Sequence, residues 1–312
     1  MVWGYLLHLG LNMWSDRAWP DRSHPYLAAQ PFLRFDEALF RDLLPRMRDA
    51  GLNMLVIDIG EGVRYVSRPE TAVEGSWPPE KLREELDRVR SFGLEPIPKL
   101  NFSACHDAWM GPYARMVSSP AYYAAARDLI AETIELFGGP RWFHLGMDEE
   151  TAAHQASYEY VVVRQHDLWW HDLRFLAECV EAGGSRPWVW SDVVWHHPEA
   201  FFERMPTSVL QSNWWYGDSF DLGGAAPDDP YRDAQAPRAY IDLEEHGYDQ
   251  VPTGSNWSVD TNFGKTVAFC RERIAPERLL GFLMAPWRPT MPEFRPLHEA
   301  AIAQVAEARA QW

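Results

Sequence analysis

The feature that most constrains the fold is a regular alternation of strand-like and helix-like segments along the whole chain. Short apolar runs alternate with stretches whose apolar residues recur every three or four positions. The predicted strands cover residues 4–13, 52–59, 94–102, 141–147, 187–194, 208–213, 251–256 and 279–285. The predicted helices run from the cap Asp36 to Gly51, over 79–92, from Pro120 to Phe137, and over 164–182, 198–204, 237–246, 260–274 and 292–309.

Eight strand-helix pairs with short connections predict a parallel sheet closed into a single (β/α)8 TIM barrel. We expect this barrel to span residues 1–312 as one catalytic domain, without an accessory domain. Polar loops are predicted over residues 14–31 and 217–237. A doubly wound open sheet is the alternative, and it is disfavoured by the count of eight and by the lack of a GxGxxG turn after the first strand.

Charge and cysteine usage exclude several classes of function. The formal net charge of -16 and a pI near 5.1 argue against nucleic acid or an anionic membrane as a partner, because such binding depends on Lys and Arg. Cys105, Cys179 and Cys270 are far apart and lack CxxC spacing, so neither a disulfide framework nor a zinc ribbon is predicted. The N-terminus shows no signal-peptide pattern, and we expect a cytoplasmic protein.

The chemistry is predicted at the end of the fourth strand, where the chain runs into the three acids Asp148, Glu149 and Glu150. Successive strand residues face opposite sides, so two neighbouring acids can both face a site only where the strand breaks. Active sites of (β/α)8 barrels lie at the C-terminal strand ends. Asp148 and Glu149 are therefore the candidate catalytic pair. The candidate substrate-binding residues at the strand ends are Asp58, Glu61, His106, His144, Trp190, Asp192, Trp214, Trp215, Tyr216, Trp257, Trp287 and Arg288.

The aromatic content of these strand ends favours a carbohydrate substrate. The chain has 16 tryptophans, and several of them follow predicted strands. The C–H faces of a pyranose ring stack on indole, while its hydroxyl groups take hydrogen bonds from acids and amides. We predict no metal and no cofactor. A homo-oligomer whose neighbouring subunits complete the pocket is an open alternative.

The segment from His144 to Glu149 resembles the H-x-G-(G/M)-D-E signature that glycoside hydrolase family 20, the β-N-acetylhexosaminidases, carries at the end of the fourth barrel strand. Further similar elements are the segment from Asn53 to Asp58 with the following Glu-Gly-x-Arg-Tyr, the tripeptide Trp190-Ser191-Asp192, the strand end from Gln211 to Trp215, and Trp287. The similarity covers nearly the whole chain.

The resemblance implies a hydrolase acting on a terminal amino sugar, with Glu149 as general acid/base. Asp148 would orient the 2-acetamido group, whose own carbonyl oxygen would attack C1, so the reaction would proceed with retention. The adjacency of the two acids fits this mechanism, because neither carboxylate has to reach C1. Trp190, Trp214 and Trp287 would enclose the sugar.

Two of the departures from the family pattern affect groups that would bind the sugar. The arginine that family members carry at the end of the first strand falls at Leu11 or Asn12 here. The Trp-Glu pair of the eighth strand is Trp287-Arg288, and this cation favours an anionic group on the sugar.

Other interpretations of the same residues stay open. The acids 148–150 could form the first turn of a helix, where they would complement the helix dipole. A metal-dependent sugar isomerase or epimerase could use His106, His144, Asp148, Glu149 and Asp192 as ligands. A retaining glycosidase with Asp58 or Asp192 as nucleophile and a catalytically silent carbohydrate-binding barrel are the remaining alternatives.

Overall fold

Eight parallel strands lie at the centre of the computed structural model, which describes residues 1–17, 24–222 and 235–312. The strands are β1 (Val2–His8), β2 (Met54–Asp58), β3 (Glu95–Lys99), β4 (Trp142–His144), β5 (Arg186–Trp190), β6 (Leu210–Ser212), β7 (Thr253–Gly254) and β8 (Gly281–Met284). The helices are α1 (Glu37–Asp49), α2 (Pro79–Ser91), α3 (Pro120–Leu136), α4 (Asp167–Ala182), α5 (Val193–His196), α6 (Pro198–Arg204), α7 (Gln235–Glu245), α8 (Asn262–Arg273) and α9 (Arg295–Ala310).

The sheet closes on itself. Its hydrogen-bonded order runs from β6 through β5, β4, β3, β2 and β1 to β8 and β7. Two bridges, Gln211 with Gln250 and Trp214 with Thr253, join the remaining edges. The predicted (β/α)8 barrel is therefore confirmed.

The structure contains the helix caps from which the boundaries of α1 were predicted. The Asp36 carboxylate accepts a hydrogen bond from the Leu39 amide at 2.6 Å, which satisfies a free N–H of the first turn of α1. The rings of Phe35 and Phe40 pack 5.4 Å apart across this start, as a hydrophobic staple does. Gly51 ends the helix with φ +81°, a conformation that glycine adopts without strain.

Several predicted elements end earlier or begin later than the sequence suggested. The first and fifth strands leave the sheet at His8 and Trp190, before the loop residues that were assigned to them. The acids 148–150 lie in a loop, and α4 begins only at Asp167, which rules out the alternative in which they form the first turn of a helix. The predicted loops 14–31 and 217–237 lie partly outside the described residues.

The barrel interior is apolar at its base and polar at its top. Every second strand residue points inward, so Leu6, Met54, Val56 and Ile97 fill the base together with other apolar side chains. The last residues of the first four strands stand side by side in register above them, and these are His8, Asp58, Lys99 and His144. All four are buried. They form the floor below the C-terminal strand ends.

The helices cover the outer face of the sheet. Outward strand residues such as Tyr5, Leu7, Leu55 and Ile57 belong to a large core that they share with the helices. Within the described ranges, no helix is both long and apolar enough to cross a membrane.

Candidate functional site

A pocket of about 580 Å³ opens at the C-terminal ends of the strands, a volume in the usual range for small-molecule sites. Its aromatic lining consists of Trp14, Trp195, Trp214, Trp215, Tyr216, Trp257 and Trp287. Its polar lining includes Asn101, His106, Asp148, Glu149, His154, Ser157 and Ser258. The site is thus an aromatic cup with acids and histidines at one side.

Asp148 lies in this pocket in a fixed orientation. Its Oδ1 accepts a hydrogen bond from Asn101 Nδ2 at 2.8 Å, and its Oδ2 lies 3.4 Å from His106 Nε2. Burial by itself would raise the pKa of Asp148, but the charges of His106 and Lys99 and the hydrogen bond from Asn101 hold it well below its usual range. The Asp148 carboxylate is therefore an oriented anion at neutral pH.

The Glu149 carboxyl lies beside Asp148 and between two histidines. Its Oε2 is 3.3 Å from His106 Nε2, and its Oε1 is 3.7 Å from His154 Nε2. The Glu149 side chain keeps 26% of its surface exposed, against 9% for Asp148. Glu149 is thus the acid of the pair that an entering molecule reaches more easily.

Both acids face the pocket because the backbone breaks its extended path after β4. Gly146, Met147 and Glu149 have φ values of +72°, +74° and +56°. This is the break that the adjacency of the acids required. A Cβ on Gly146 would lie 2.1 Å from Asn101 Oδ1, so only glycine fits where the chain passes the asparagine that holds Asp148.

His106 carries positive charge between the two acids. Burial would lower the pKa of its imidazole, but the negative charges of Asp148 and Glu149, 3.4 and 3.3 Å from its Nε2, raise it to about 10. A protonated His106 offsets part of the negative charge of the pair.

Two arginines hold the loop between β4 and α4, which forms one wall of the pocket. Arg164 is buried and binds both carboxylate oxygens of Glu150 at 2.6 Å, and it also contacts Asp172 at 3.0 Å. Arg115 binds Asp107 and donates to Gln155 Oε1 at 2.7 Å. The third acid of the predicted cluster, Glu150, therefore has a structural partner and does not line the pocket.

The aromatic walls support one another. The ring of Trp214 stacks on Tyr216 at 5.0 Å and meets Trp195 edge-on at 4.5 Å. Trp287 donates a hydrogen bond from its indole N–H to the Tyr216 hydroxyl at 2.9 Å. Such mutual contacts fix flat apolar surfaces at which a sugar ring can stack.

The predicted site residues divide into two groups. Those that line the pocket are His106, Asp148, Glu149, Trp214, Trp215, Tyr216, Trp257 and Trp287. Those outside its lining are Asp58, Glu61, His144, Trp190, Asp192 and Arg288.

The acids outside the lining bind other groups of the protein. They do not face the pocket, where contacts with substrate were expected of them. Asp58 points into the barrel and forms a buried ion pair with Lys99. Glu61 is buried, and its Oε1 accepts hydrogen bonds from the Leu11 and Asn12 amides at 2.7 and 2.9 Å. Burial raises the pKa of Glu61 to about 7.

Asp192 is also buried, and its Oδ2 accepts a hydrogen bond from the Glu149 amide at 2.8 Å. Burial and the nearby charge of Asp148 raise the pKa of Asp192 to about 8. Its contact is thus with the candidate catalytic pair and not with the pocket.

The other outlying residues support the pocket from behind or from its edge. His144 and Trp190 are buried with ring centres 4.3 Å apart, and Trp190 packs against the pocket residue Trp287 at 5.7 Å. The Arg288 guanidinium lies 3.8 Å from the ring centre of Trp257 and donates to the Tyr26 hydroxyl at 3.3 Å. Arg288 therefore stands at the rim.

The sequence interpretation missed ten residues of the lining, and four of them carry aromatic, amide or imidazole side chains, namely Trp14, Asn101, His154 and Trp195. Asn101 lies two residues beyond the end of β3, a position that could have been selected by the same rule as the other strand ends. Trp14, His154 and Trp195 come from loops or from the short helix α5, and no periodicity places such residues.

Three side chains could hold a metal ion. Ligand atoms of His106, Asp148 and Glu149 lie within 4.8 Å of one another. The two further ligands expected for a metal enzyme, His144 and Asp192, do not belong to this cluster of described residues and do not line the pocket. The site therefore offers three of the five expected ligands.

No protein-family model matches the chain, and no curated protein matches it in sequence. Solved structures match it strongly in fold. Dispersin B superposes with a TM-score of 0.58 at 15% identity, over 88% of this chain and 95% of its own. The β-N-acetylhexosaminidase of Bacteroides fragilis gives 0.62 at 13% identity, over 96% of this chain and 65% of its own.

A glycoside hydrolase family 20 exo-β-N-acetylglucosaminidase from Vibrio harveyi, solved in complex with N-acetylglucosamine, superposes with a TM-score of 0.61 at 13% identity. The match covers 99% of this chain and 57% of that one. The chain has the barrel fold of these enzymes. The resemblance carried by the segment from His144 to Glu149 is thus confirmed as a likeness of fold, and this chain spans only part of the longer structures.

Proposed function

We propose that this protein is a glycoside hydrolase that removes a terminal β-linked 2-acetamido sugar by substrate-assisted catalysis. The observation that carries the proposal is the pair Asp148 and Glu149, side by side in an aromatic pocket at the C-terminal end of the barrel. Family 20 enzymes with the same barrel fold, one of them solved with N-acetylglucosamine, support the choice of sugar.

In the first step, the acetamido carbonyl oxygen of the bound sugar attacks C1, and the bond from C1 to the leaving oxygen breaks. Glu149 transfers its proton to that oxygen as general acid. Asp148, held as an anion by Asn101 and His106, accepts a hydrogen bond from the acetamido N–H and stabilises the positive charge of the oxazolinium ring.

In the second step, water attacks C1 from the side that the leaving group vacated. Glu149 now accepts the proton of this water, and the oxazolinium ring opens to restore the acetamido group. Two inversions at C1 give a product with retained configuration. His106 and His154 flank the Glu149 carboxyl in both steps and keep it in place.

The spacing of the acids argues against an inverting mechanism, in which two enzyme carboxyls act across the bond. Inverting enzymes need about 6.5–9.5 Å between their carboxyls to admit water, whereas oxygens of Asp148 and Glu149 lie within 4.8 Å. Asp58, one alternative nucleophile, is buried against Lys99 and does not line the pocket. The substrate's own acetamido group is then the nucleophile that fits.

Hydrolysis of matched aryl β-glycosides tests the proposal. We expect turnover of the N-acetylglucosaminide or N-acetylgalactosaminide but not of the plain glucoside. Glu149→Gln and Asp148→Asn should lower kcat by roughly 10²–10⁴-fold, while Glu84→Gln on the exposed face of α2 serves as the control. Equal turnover of the glucoside would refute substrate assistance.

A metal-dependent sugar isomerase is the second candidate, favoured by one geometric observation. His106 Nε2 lies 3.4 Å from Asp148 Oδ2 and 3.3 Å from Glu149 Oε2. Ligands about 2.0–2.1 Å from a tetrahedral zinc ion lie roughly 3.3 Å apart. Metal analysis of the purified protein tests this function, and full sugar hydrolysis after chelator treatment would reject it.

We also propose a cellular location and an oligomeric state for this protein. The first is a cytoplasmic location, suggested by the cysteine usage, which cell fractionation tests. The second is a homo-oligomer that completes the pocket, which a sizing column tests.

A further inference from the structure

The backbone of Glu149 has a conformation that side-chain-bearing residues rarely adopt. Its φ of +56° lies in the left-handed region, and Glu149 is not a glycine. Residues persist in this region only where the surrounding structure fixes them, and such residues cluster at functional sites. Some group near Glu149 must therefore hold its peptide in place.

Both polar groups of the Glu149 backbone are held. Its amide donates to Asp192 Oδ2 at 2.8 Å. Its carbonyl oxygen accepts from the Thr151 amide and from the Cys105 thiol, each at 2.7 Å. The bond to Asp192 ties Glu149 to a different strand from the one that precedes it.

Asp192 is a firm anchor because its own neighbours belong to the barrel. It follows β5 and caps the start of α5, where its carbonyl accepts from the Trp195 amide at 3.0 Å. The preceding Ser191 donates from its amide to the Ser212 carbonyl at 3.2 Å and from its hydroxyl to Gln211 Oε1 at 3.0 Å. Through Asp192, the backbone of Glu149 is thereby tied to strands β5 and β6.

The Asp192 carboxyl is placed for this contact and not for a substrate. The residue is only 4% exposed and lies outside the pocket lining. Its Oδ1 has no hydrogen-bond partner in the parts of the chain that the structure describes, and the charged groups facing it are Asp148 and Glu149. A nucleophile would have to face the sugar, which Asp192 does not.

We propose that Asp192 is a positioning residue that fixes the Glu149 peptide, so that the Glu149 carboxyl points into the pocket between His106 and His154. The inference rests on the proposed hydrolase function for its kinetic test. It assigns to Asp192 a role other than substrate contact or nucleophilic attack.

The kinetic test compares two substitutions of Asp192 on the aryl N-acetylglucosaminide. Asp192→Asn keeps an acceptor oxygen for the Glu149 amide, so kcat should stay within about threefold of the wild type. Asp192→Ala removes the acceptor, and kcat should fall about 10–100-fold with KM within about threefold, since small misplacements of a catalytic group cost rates of this order. Asp87→Asn, at an exposed position on α2, is the matched control.

Two results would overturn the proposal. One is a loss in Asp192→Asn as large as that in Glu149→Gln, which would mark Asp192 as a catalytic group. The other is an unchanged kcat in Asp192→Ala, which would show that the bond to Glu149 is unnecessary. If Asp192→Ala does not fold, Asp192→Ser, whose shorter side chain does not reach the Glu149 amide, replaces it with the same expected result.

A structural readout separates this proposal from the hydrolase function. If the wild type cleaves no acetamido sugar, the function fails, and crystal structures of wild type and Asp192→Ala then decide the role of Asp192. A Glu149 φ that leaves the left-handed region in the variant supports the proposal. An unchanged φ and carboxyl position in the variant overturns it.

Discussion

Replacement of Arg164 by methionine should destabilise the protein strongly, because the guanidinium neutralises buried acids beneath the pocket wall. The side chains of Arg164, Glu150 and Asp172 are only 1%, 3% and 0% exposed. Arg164 also donates to the Phe102 carbonyl at 2.9 Å. Methionine fills much of the same volume but leaves the Glu150 carboxylate without this charged partner.

The expected cost follows from the burial of these groups. Removing one partner of a buried ion pair costs about 3–5 kcal/mol, because the remaining charge is neither paired nor hydrated. With an unfolding entropy of about 2.1 cal/mol/K per residue, a chain of 312 residues has about 0.65 kcal/mol/K in total. The melting temperature should therefore fall by about 5–8 °C.

Thermal unfolding followed by circular dichroism measures this shift, with Arg204→Met as the control. Arg204 pairs with Asp167 at 2.5 Å, but these side chains are 35% and 85% exposed. An exposed pair contributes at most about 1 kcal/mol, so the control should shift by less than about 2 °C. Equal shifts for Arg164→Met and Arg204→Met would refute the argument from buried charge.

Three further changes have defined expected results. Burial raises the pKa of Glu61 from 4.5 to about 7, so the folded state binds the proton more tightly and wild-type stability falls as pH rises through this range. Glu61→Gln should remove this pH dependence, and the variant should be more stable than the wild type by up to about 3 kcal/mol at pH 8 but not at pH 4. Urea unfolding at both pH values checks this, and a variant that keeps the wild-type dependence of stability on pH contradicts it. Gly146→Ala should displace Asn101 from Asp148, because the added Cβ would lie 2.1 Å from Asn101 Oδ1. Full kcat in this variant would show that the hydrogen bond from Asn101 to Asp148 is dispensable. Arg288→Leu should lower the preference for a 6-sulfated over an unsulfated N-acetylglucosaminide, since the half-buried Arg288 guanidinium has no ion pair with any described residue. If the ratio of kcat/KM for the sulfated and unsulfated substrates equals that of the wild type, the anion-binding role is rejected.

The sequence predicted the barrel because local signals agreed with the global pattern. Asp36 and Ser119 cap the helices that their spacing indicated. The adjacency of Asp148 and Glu149 predicted a break after the fourth strand, and the positive φ values of Met147 and Glu149 supply it. These inferences succeeded because they depend on residues close together in the chain.

The inferences that failed depend on contacts between distant segments. Asp58 ends a strand, but the two-residue period turns it inward toward Lys99 on the neighbouring strand. Glu61 accepts hydrogen bonds from amides about 50 residues earlier in the chain. The pairing of Arg164 with Glu150 likewise separates a structural acid from the proposed catalytic pair, and no sequence spacing distinguishes the two roles.

The central claim is that the substrate's acetamido oxygen, and no carboxylate of the enzyme, attacks C1 beside Asp148 and Glu149. Successive fluorination of the acetamido methyl group withdraws electrons from this oxygen and leaves the bond to the leaving group unchanged. The direct test is kcat/KM of the wild type for aryl N-acetylglucosaminides carrying zero, one, two and three fluorines. If the acetamido oxygen attacks C1, the rate falls with each added fluorine. Equal rates across the series would contradict this and would assign the attack to a carboxylate of the enzyme.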